Sequence, residues 1–252
     1  MALPALGFFA AVQFLTRIPI RLRTAPELSG SVPWFPVVGA LVGATVGGVA
    51  AGLGELVPAT VAATLAVLVG VTVTGAFHED GLADTCDAMG GWSQDQRRAI
   101  LKDSRHGSYG VAAMCGTILL RVVALAALGP AAAFGGAVAA HTLGRGAAVA
   151  AMGLGPAVPT EGLGADYARA LSPFRTLAGV VVSVALAGLA VGWWVAPLAI
   201  GVAIAGAAVT WFAVRAFGGV SGDVLGAIEQ VGECVVLVIV TGLATRHTLW
   251  WA

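Results

Sequence analysis

The 252-residue sequence predicts an all-α, polytopic integral membrane bundle of about six or seven transmembrane helices, each near the length a bilayer requires. An N-terminal interfacial or re-entrant helix precedes them. Three observations predict this. Hydrophobic residues make up 58% of the chain and charged residues 10%, where a soluble domain carries about 25% charged. Long stretches are apolar on every face, unlike the alternating pattern of a transmembrane β-barrel. Gly and Ala are abundant throughout, and small residues let helices pack closely in lipid.

The elements follow in order. Residues 2–20 are apolar but interrupted by Pro4, Gln13, Arg17 and Pro19, which suits a helix lying in the interface. Arg17, Arg21, Arg23 and Glu27 form a short polar segment. Uncharged runs at 33–54 and 56–77 predict two spans joined at Glu55 and Pro58. Residues 78–106 are the most polar part of the chain. A third span covers 108–128 and carries Arg121. Gly129 and Pro130 break it from a fourth, which runs to about 152 and carries His141 and Arg145. A polar loop at 156–175 leads to a fifth span at 176–195. Ala196 and Pro197 turn the chain into a sixth, ending near Val214, and 231–251 form a seventh. The whole chain, 1–252, reads as one membrane-embedded domain. Its halves show no obvious repeat, which weakens an inverted-repeat transporter.

Charge fixes the expected orientation. The turns at Glu55, Gly129 and Ala196 carry no basic residue, whereas the connections at 17–31, 78–106, 156–175 and 215–229 hold nearly all of them. Alternating spans bring these four connections to one side, cytoplasmic by the positive-inside rule. The expected location is therefore the cell (inner or plasma) membrane, with the catalytic connections on its cytoplasmic side. Every carboxylate except Glu55 falls on or near that side too. Acidic residues do not set topology, so their clustering suggests a site. The 13 basic and 13 acidic residues balance and give no reason to expect nucleic acid. Cys86, Cys115 and Cys234 lack metal-ligand spacing and read as free thiols. No cleavable signal peptide is expected, since no basic region precedes the first apolar stretch.

The richest segment is His78-Glu79-Asp80-Gly81-Leu82-Ala83-Asp84-Thr85-Cys86-Asp87. On a helix, Asp80, Asp84 and Asp87 lie at i, i+4 and i+7 and share one face. Three like charges in a stripe repel, and a hard divalent cation removes the conflict. Mg²⁺ typically uses carboxylates together with substrate phosphates. Downstream, Lys102 and Arg105 in Lys102-Asp103-Ser104-Arg105 read as a phosphate clamp. Gly107 and Gly110 would let backbone approach a ligand. Arg97 and Arg98 read as a positive-inside anchor for the third span. A third constellation, Gly218-Gly219-Val220-Ser221-Gly222-Asp223, could form an anion-binding nest, with Asp223 as a further metal ligand. Glu229 and Glu233 share a face at the mouth of the last span. Arg121 and His141 should face the protein interior, and Arg145 is placed to face inward or to snorkel.

These motifs together resemble those of the cobalamin synthases, also called adenosylcobinamide-GDP ribazoletransferases. The resemblance covers nearly the whole chain. It rests on Phe14-Leu15-Thr16-Arg17-Ile18-Pro19, on residues 77–87, on residues 102–110 and on residues 218–229. The acidic motif and the Lys-Asp-Ser-Arg run, at this separation, are specific together. Gly144, before Arg145, stands where Ser would be expected.

The resemblance implies an Mg²⁺-dependent phosphotransferase that joins the cobinamide phosphate of adenosylcobinamide-GDP to α-ribazole, or to its 5′-phosphate, and releases GMP. It implies Asp80, Asp84, Asp87 and Asp223 as Mg²⁺ ligands, and Lys102 and Arg105 neutralising phosphate oxygens. Asp103, His78 and Glu79 are the alternatives for the base. Ser104, Gly107, Gly110, Arg145, Gly219, Gly222 and Glu229 would bind substrate. The bilayer is the other partner, and monomer and homo-oligomer are both open. Two further readings of the residues are a CDP-alcohol phosphotransferase-like enzyme and a divalent-cation transporter. The compact acids disfavour the first, and their position at one surface rather than the midplane disfavours the second.

Overall fold

The computed structural model describes residues 4–22, 28–103, 105–158, 167 and 171–252. Ser104, Arg23, Glu27 and Arg169 lie outside the described residues. The described chain is all-α. The helices used below are α1 (Pro4–Leu15), α2 (Phe35–Gly54), α3 (Ala59–Thr74), α4 (Phe77–Asp87), α5 (Gln94–Ile100), α6 (Ser108–Ala126), α7 (Pro130–Leu154), α8 (Pro173–Val191), α9 (Val195–Phe217) and α10 (Gly222–Ala244). Among the described residues, the strand-like contact is a single parallel bridge between Ala157 and Val220.

Helix ends follow local chemistry. α7 and α8 each begin with proline, whose missing N–H costs nothing there, and Ser172 caps α8 by accepting from Arg175 N. Ser93 accepts from Gln96 N at 3.2 Å while Gln96 Oε1 accepts from Trp92 N at 2.9 Å, a reciprocal cap on α5. Left-handed Gly75 (φ 67°) and Ala76 (φ 58°) end α3. They turn the chain by 88° into α4.

α7 is the hub, packed on α2, α8, α9 and α10. Gly39, Gly43 and Gly47 of α2 face it at i, i+4 and i+8. A Cβ on each would come within 2.7 Å of α7 backbone at His141, Ala137 and Phe134. Small residues at this spacing let the two backbones touch, which is what associates helices in lipid. Outward-facing Leu119, Leu189, Ile200 and Ile204 are exposed, as a lipid-facing surface requires.

The chain is thus a multi-pass membrane protein. By length and apolar composition, four helical segments among the described residues can cross a bilayer: Ser29–Gly54, Ser108–Ala126, Pro173–Phe217 and Gly222–Ala244. The bent pair α3 and α4 makes a fifth if counted as one span. The expected six or seven spans divide Pro173–Phe217 in two and add α7, which is long enough but diluted by glycine, His141 and Arg145.

Three boundaries differ from expectation. The break before α9 falls at Gly192–Trp194, and Pro197 sits inside the first turn of α9. α10 starts at Gly222 and ends at Ala244, so the expected connection at 215–229 shrinks to a few residues. Residues after α10 fold back, with Leu249 buried and Trp251 Nε1 donating to Ala190 O at 2.8 Å. Arg97 and Arg98, expected as an anchor for α6, also make tertiary contacts. Arg97 Nε donates to Gly91 O at 2.9 Å and Arg98 Nε to Phe217 O at 2.8 Å, so they tie α5 to its own loop and to the C-terminus of α9.

Candidate active site

α4 and α10 cross at glycines. A Cβ on Gly81 would meet Asp223 O at 2.8 Å, and one on Gly226 would meet His78 O at 3.2 Å. This close crossing divides α4 into two faces. His78, Glu79, Leu82 and Ala83 are buried, while Asp80 is exposed and Asp84 and Asp87 are half-buried. Asp223, in the first turn of α10, completes the acidic set. It sits close enough to act electrostatically on both Asp80 and Asp84. Ser221 Oγ caps α10 by accepting from Val224 N at 3.3 Å.

His106, which the sequence reading did not single out, joins this group. Its Nε2 lies 3.4 Å from Asp80 Oδ1 and its Nδ1 3.5 Å from Asp84 Oδ1. The donor atoms of Asp80, Asp84 and His106 all fall within 4.8 Å of one another. His106 sits in an irregular loop, where no helical periodicity could have aligned it with the acids.

Asp87 has a different neighbour from its stripe partners. Its Oδ2 accepts from Gly107 N at 2.6 Å and its Oδ1 from Gly110 N at 2.8 Å. Both are N–H groups at the start of α6, which lack intrahelical partners. A Cβ on Gly107 would meet Asp87 Oδ1 at 2.6 Å. The close approach expected of Gly107 and Gly110 is therefore to Asp87, not to open space for a ligand.

In the Lys-Asp-Ser-Arg run, Lys102 is exposed and lines the cavity described below. Arg105 turns back on Asp103, with Nη2 donating to Oδ2 at 2.6 Å and Nε to Oδ1 at 2.9 Å. That hydrogen-bonded guanidinium holds the Asp103 carboxyl at about 2.

The glycine-rich turn splits in the same way. Gly218 ends α9 with φ 82°. Gly219 is pressed against the 156–158 loop, where a Cβ would meet Pro156 O at 2.5 Å. Val220 N donates to Pro156 O at 2.8 Å. Gly219 is thus a packing position, whereas Gly222 is exposed and borders the cavity.

Glu229 and Glu233 do not lie at a mouth. Both are fully buried, in a charge network linking α4, α6, α7 and α10. Arg121 Nη2 donates to Glu79 Oε1 at 2.8 Å and its Nη1 to Glu233 Oε2 at 2.9 Å. Arg145 Nη1 donates to Glu233 Oε1 at 3.0 Å and also bonds Glu229. His141 Nδ1 contacts Glu233, and His78 Nδ1 lies 3.8 Å from Glu229. Arg145 faces inward and does not snorkel. Gly144 makes room for this arrangement, since a Cβ there would come 2.9 Å from Glu229 O. The donors of His141, Glu229 and Glu233 converge, but Arg145 already sits among them as the cation.

Between α1, α4, α7 and α10 lies a cavity of about 320 Å³. Asp80, Asp223, Lys102, Ser221 and Gly222 form one side. Phe14, Phe35, Phe77, Met152, Tyr167 and Leu225 contribute its apolar lining. His78 also reaches it; Glu79, Asp103 and Arg105 are not among its lining residues. Arg98 and Arg145 line it as well. Carboxylates and cations beside an apolar wall suit an amphiphilic phosphorylated ligand.

The family model for cobalamin-5-phosphate synthase matches residues 7–241. The chain belongs to the cobalamin-5-phosphate synthase family. It is 34% identical over 251 residues to the adenosylcobinamide-GDP ribazoletransferase of Shewanella frigidimarina, a match covering 94% of this chain and 95% of the relative. The enzymes of the same name from Shewanella denitrificans and Shewanella oneidensis are each 34% identical, with the same coverage. No solved structure matches.

Proposed function

We propose that this family member transfers the cobinamide phosphate of adenosylcobinamide-GDP to α-ribazole or its 5′-phosphate, releasing GMP. The observation that carries the reading is the meeting of Asp80, Asp223 and Lys102 at the polar margin of a cavity inside a membrane bundle, with Asp84 beside Asp80. Family membership and the relatives' activity support it. The CDP-alcohol phosphotransferase and cation-transporter readings find no support in the family match or in the relatives named above.

In the reaction, the ribazole 3′-hydroxyl oxygen attacks the phosphorus attached to cobinamide. The bond from that phosphorus to the GMP oxygen breaks, and the hydroxyl proton passes to a base. Such a displacement needs in-line positioning and charge neutralisation more than covalent help from the protein. Lys102 faces the cavity and neutralises non-bridging phosphate oxygens. Among the three alternatives for the base, His78 lines the cavity. Glu79 is paired to Arg121 away from it, and Asp103, held at about 2, is too weak a base for the task.

The donors fit Mg²⁺. Asp80 and Asp84 offer hard carboxylate oxygens close together, as that ion prefers, and Asp223 stands across from them. When bound, Mg²⁺ would supply positive charge against the diphosphate. His106, between the two carboxylates, is positioned to orient them. Asp87 supports the site from behind by holding the start of α6. We place this face on the cytoplasmic side of the inner or plasma membrane, because the basic connections gather there.

The test is purified protein in liposomes, given adenosylcobinamide-GDP, α-ribazole and Mg²⁺. GMP and cobalamin should appear in equal amounts. Inserted, folded protein that releases no GMP would remove the assignment.

A further inference from the structure

A transferase of this kind must seat two dissimilar groups beside one diphosphate: the flat base of the acceptor nucleoside, and the guanosine of the donor. Resting on the transferase reading above, we infer that the aromatic interior of the cavity is the acceptor-base pocket. The α-ribazole benzimidazole lies against Phe14, Phe35, Phe77 and Tyr167, and its ribose points towards Asp80, Lys102 and Asp223.

Size is the first argument. Small-ligand pockets run from about 300 to 1,000 Å³, and this one holds about 320 Å³. That admits a nucleoside and excludes a corrinoid macrocycle, which must stay outside.

The chemistry of the wall is the second. Phe14 stacks on Phe35 with centroids 5.5 Å apart and planes 15° apart. Phe77 meets Phe14 edge-on at 5.3 Å, and Tyr167 lies 5.0 Å from Phe14. The Tyr167 hydroxyl is hydrogen-bonded to Ser31, so its ring is what it offers a ligand. Guanine carries a donor–acceptor edge that needs partners when buried. The polar groups beside the aromatic wall are already engaged: Arg98 by Phe217 O and Gln94, Arg145 by Glu229 and Glu233, and His78 lies near Glu229. The benzimidazole of α-ribazole has a methylated, apolar edge and loses nothing against Phe, Met and Leu. Aromatic faces also favour a flat base by stacking.

The position of α1 is the third. Phe14 and Leu15 bring α1 to the cavity, and Arg17 N donates to Val73 O at 2.8 Å, pinning the end of α1 to the end of α3. The N-terminal helix thereby forms one wall of the pocket, with a part in acceptor selection.

Ala148 lines the same cavity from α7, and Ala148→Leu narrows it. In proteoliposomes the KM for α-ribazole should rise tenfold or more in this variant, while the KM for adenosylcobinamide-GDP stays within twofold. Equilibrium dialysis of α-ribazole alone should show the same loss of affinity. If Ala148→Leu fails to insert, the wild-type protein still decides the matter. It should bind α-ribazole without donor present, and prefer it over α-linked adenine riboside by tenfold or more in kcat/KM. A rise confined to the donor KM would assign the pocket to guanosine and overturn the inference. So would unchanged constants for both substrates, equal use of the two acceptors, or no binding of α-ribazole. Binding of α-ribazole without any wild-type turnover would instead defeat the transferase reading and leave the pocket standing.

Discussion

Gly81 of α4 lies directly on the backbone of Asp223 at the start of α10. A methyl group at Gly81 would stand 2.8 Å from Asp223 O and 3.0 Å from its Cα. Backbone cannot swing aside as a flexible side chain can, so this contact sets how far Asp223 stands from the aspartates of α4. Gly81→Ala should push the two helices apart. The expected cost is about 1–3 kcal/mol of stability, as for other overpacked sites. Activity should fall further than stability does, read by thermal unfolding in detergent beside turnover at a temperature where the variant is folded. Normal turnover in Gly81→Ala would mean that the separation of the acids is not critical.

Asp84→Asn should remove turnover while Asp95→Asn leaves it within about twofold. Asp84 shares its charged neighbourhood with Asp80, His106 and Asp223. Asp95 is almost fully exposed, 3.7 Å from Arg98, and such surface pairs contribute little. A loss of roughly a hundredfold or more for Asp84→Asn corresponds to about 2.7 kcal/mol of transition-state stabilisation. A metal role further requires the Mg²⁺ concentration for half-maximal activity to rise in any residual activity. Similar kinetics in both variants would remove Asp84 from the site.

Arg121→Gln should harm folding more than any surface change. Arg121 joins Glu79 to Glu233 in the bundle interior, and its loss strands Glu79, while Glu233 keeps Arg145 and His141. Breaking a buried pair from one side costs about 3–5 kcal/mol. Membrane-inserted yield and detergent melting temperature should both drop. The double variant Arg121→Gln with Glu79→Gln should recover part of the loss, because the stranded charge is gone. A double variant less stable than the single one would show that Glu79 contributes through some other contact.

The helices were legible because apolar runs and Gly–Pro breaks are local signals, and the acidic stripe because i, i+4 spacing is local too. What escaped depended on partners distant in sequence. Two acids at 229 and 233 inside an apolar run read as a surface mouth. They are buried because Arg145 and Arg121, 84 and 112 residues away, arrive opposite them. Asp87 shares the stripe with Asp84, but that its oxygens also accept from the N–H groups of Gly107 and Gly110 was hidden, because a backbone donor leaves no mark in a sequence. Gly219 looked like part of an anion nest, but the loop it accommodates is 156–158. The aromatic pocket was equally hidden, since Phe14, Phe77 and Tyr167 belong to three separate segments.

Arg105 supplies the last prediction. Asp103 takes the Nε and Nη2 side of its guanidinium, so a phosphate meets Arg105 through the remaining donors or by displacing that carboxylate. Asp103→Asn should weaken the hold and leave Arg105 available, giving activity at or above wild type. Arg105→Lys should lose about tenfold or more in kcat/KM, roughly 1.4 kcal/mol, because an ammonium cannot offer two parallel bonds to phosphate oxygens. The pH dependence separates this from a role for Asp103 as base. The folded carboxyl sits at about 2, below its ordinary value. The pair's contribution is therefore complete above the ordinary carboxylate range and is lost only as pH falls towards 2. Between pH of about 5 and 9 the carboxyl does not titrate, and the ratio of Asp103→Asn to wild-type activity should stay flat. A ratio that changes with pH across that window, together with a large loss in Asp103→Asn, would make Asp103 the proton acceptor. Wild-type kinetics in Arg105→Lys would leave Lys102, which faces the cavity, as the cation that meets the phosphate.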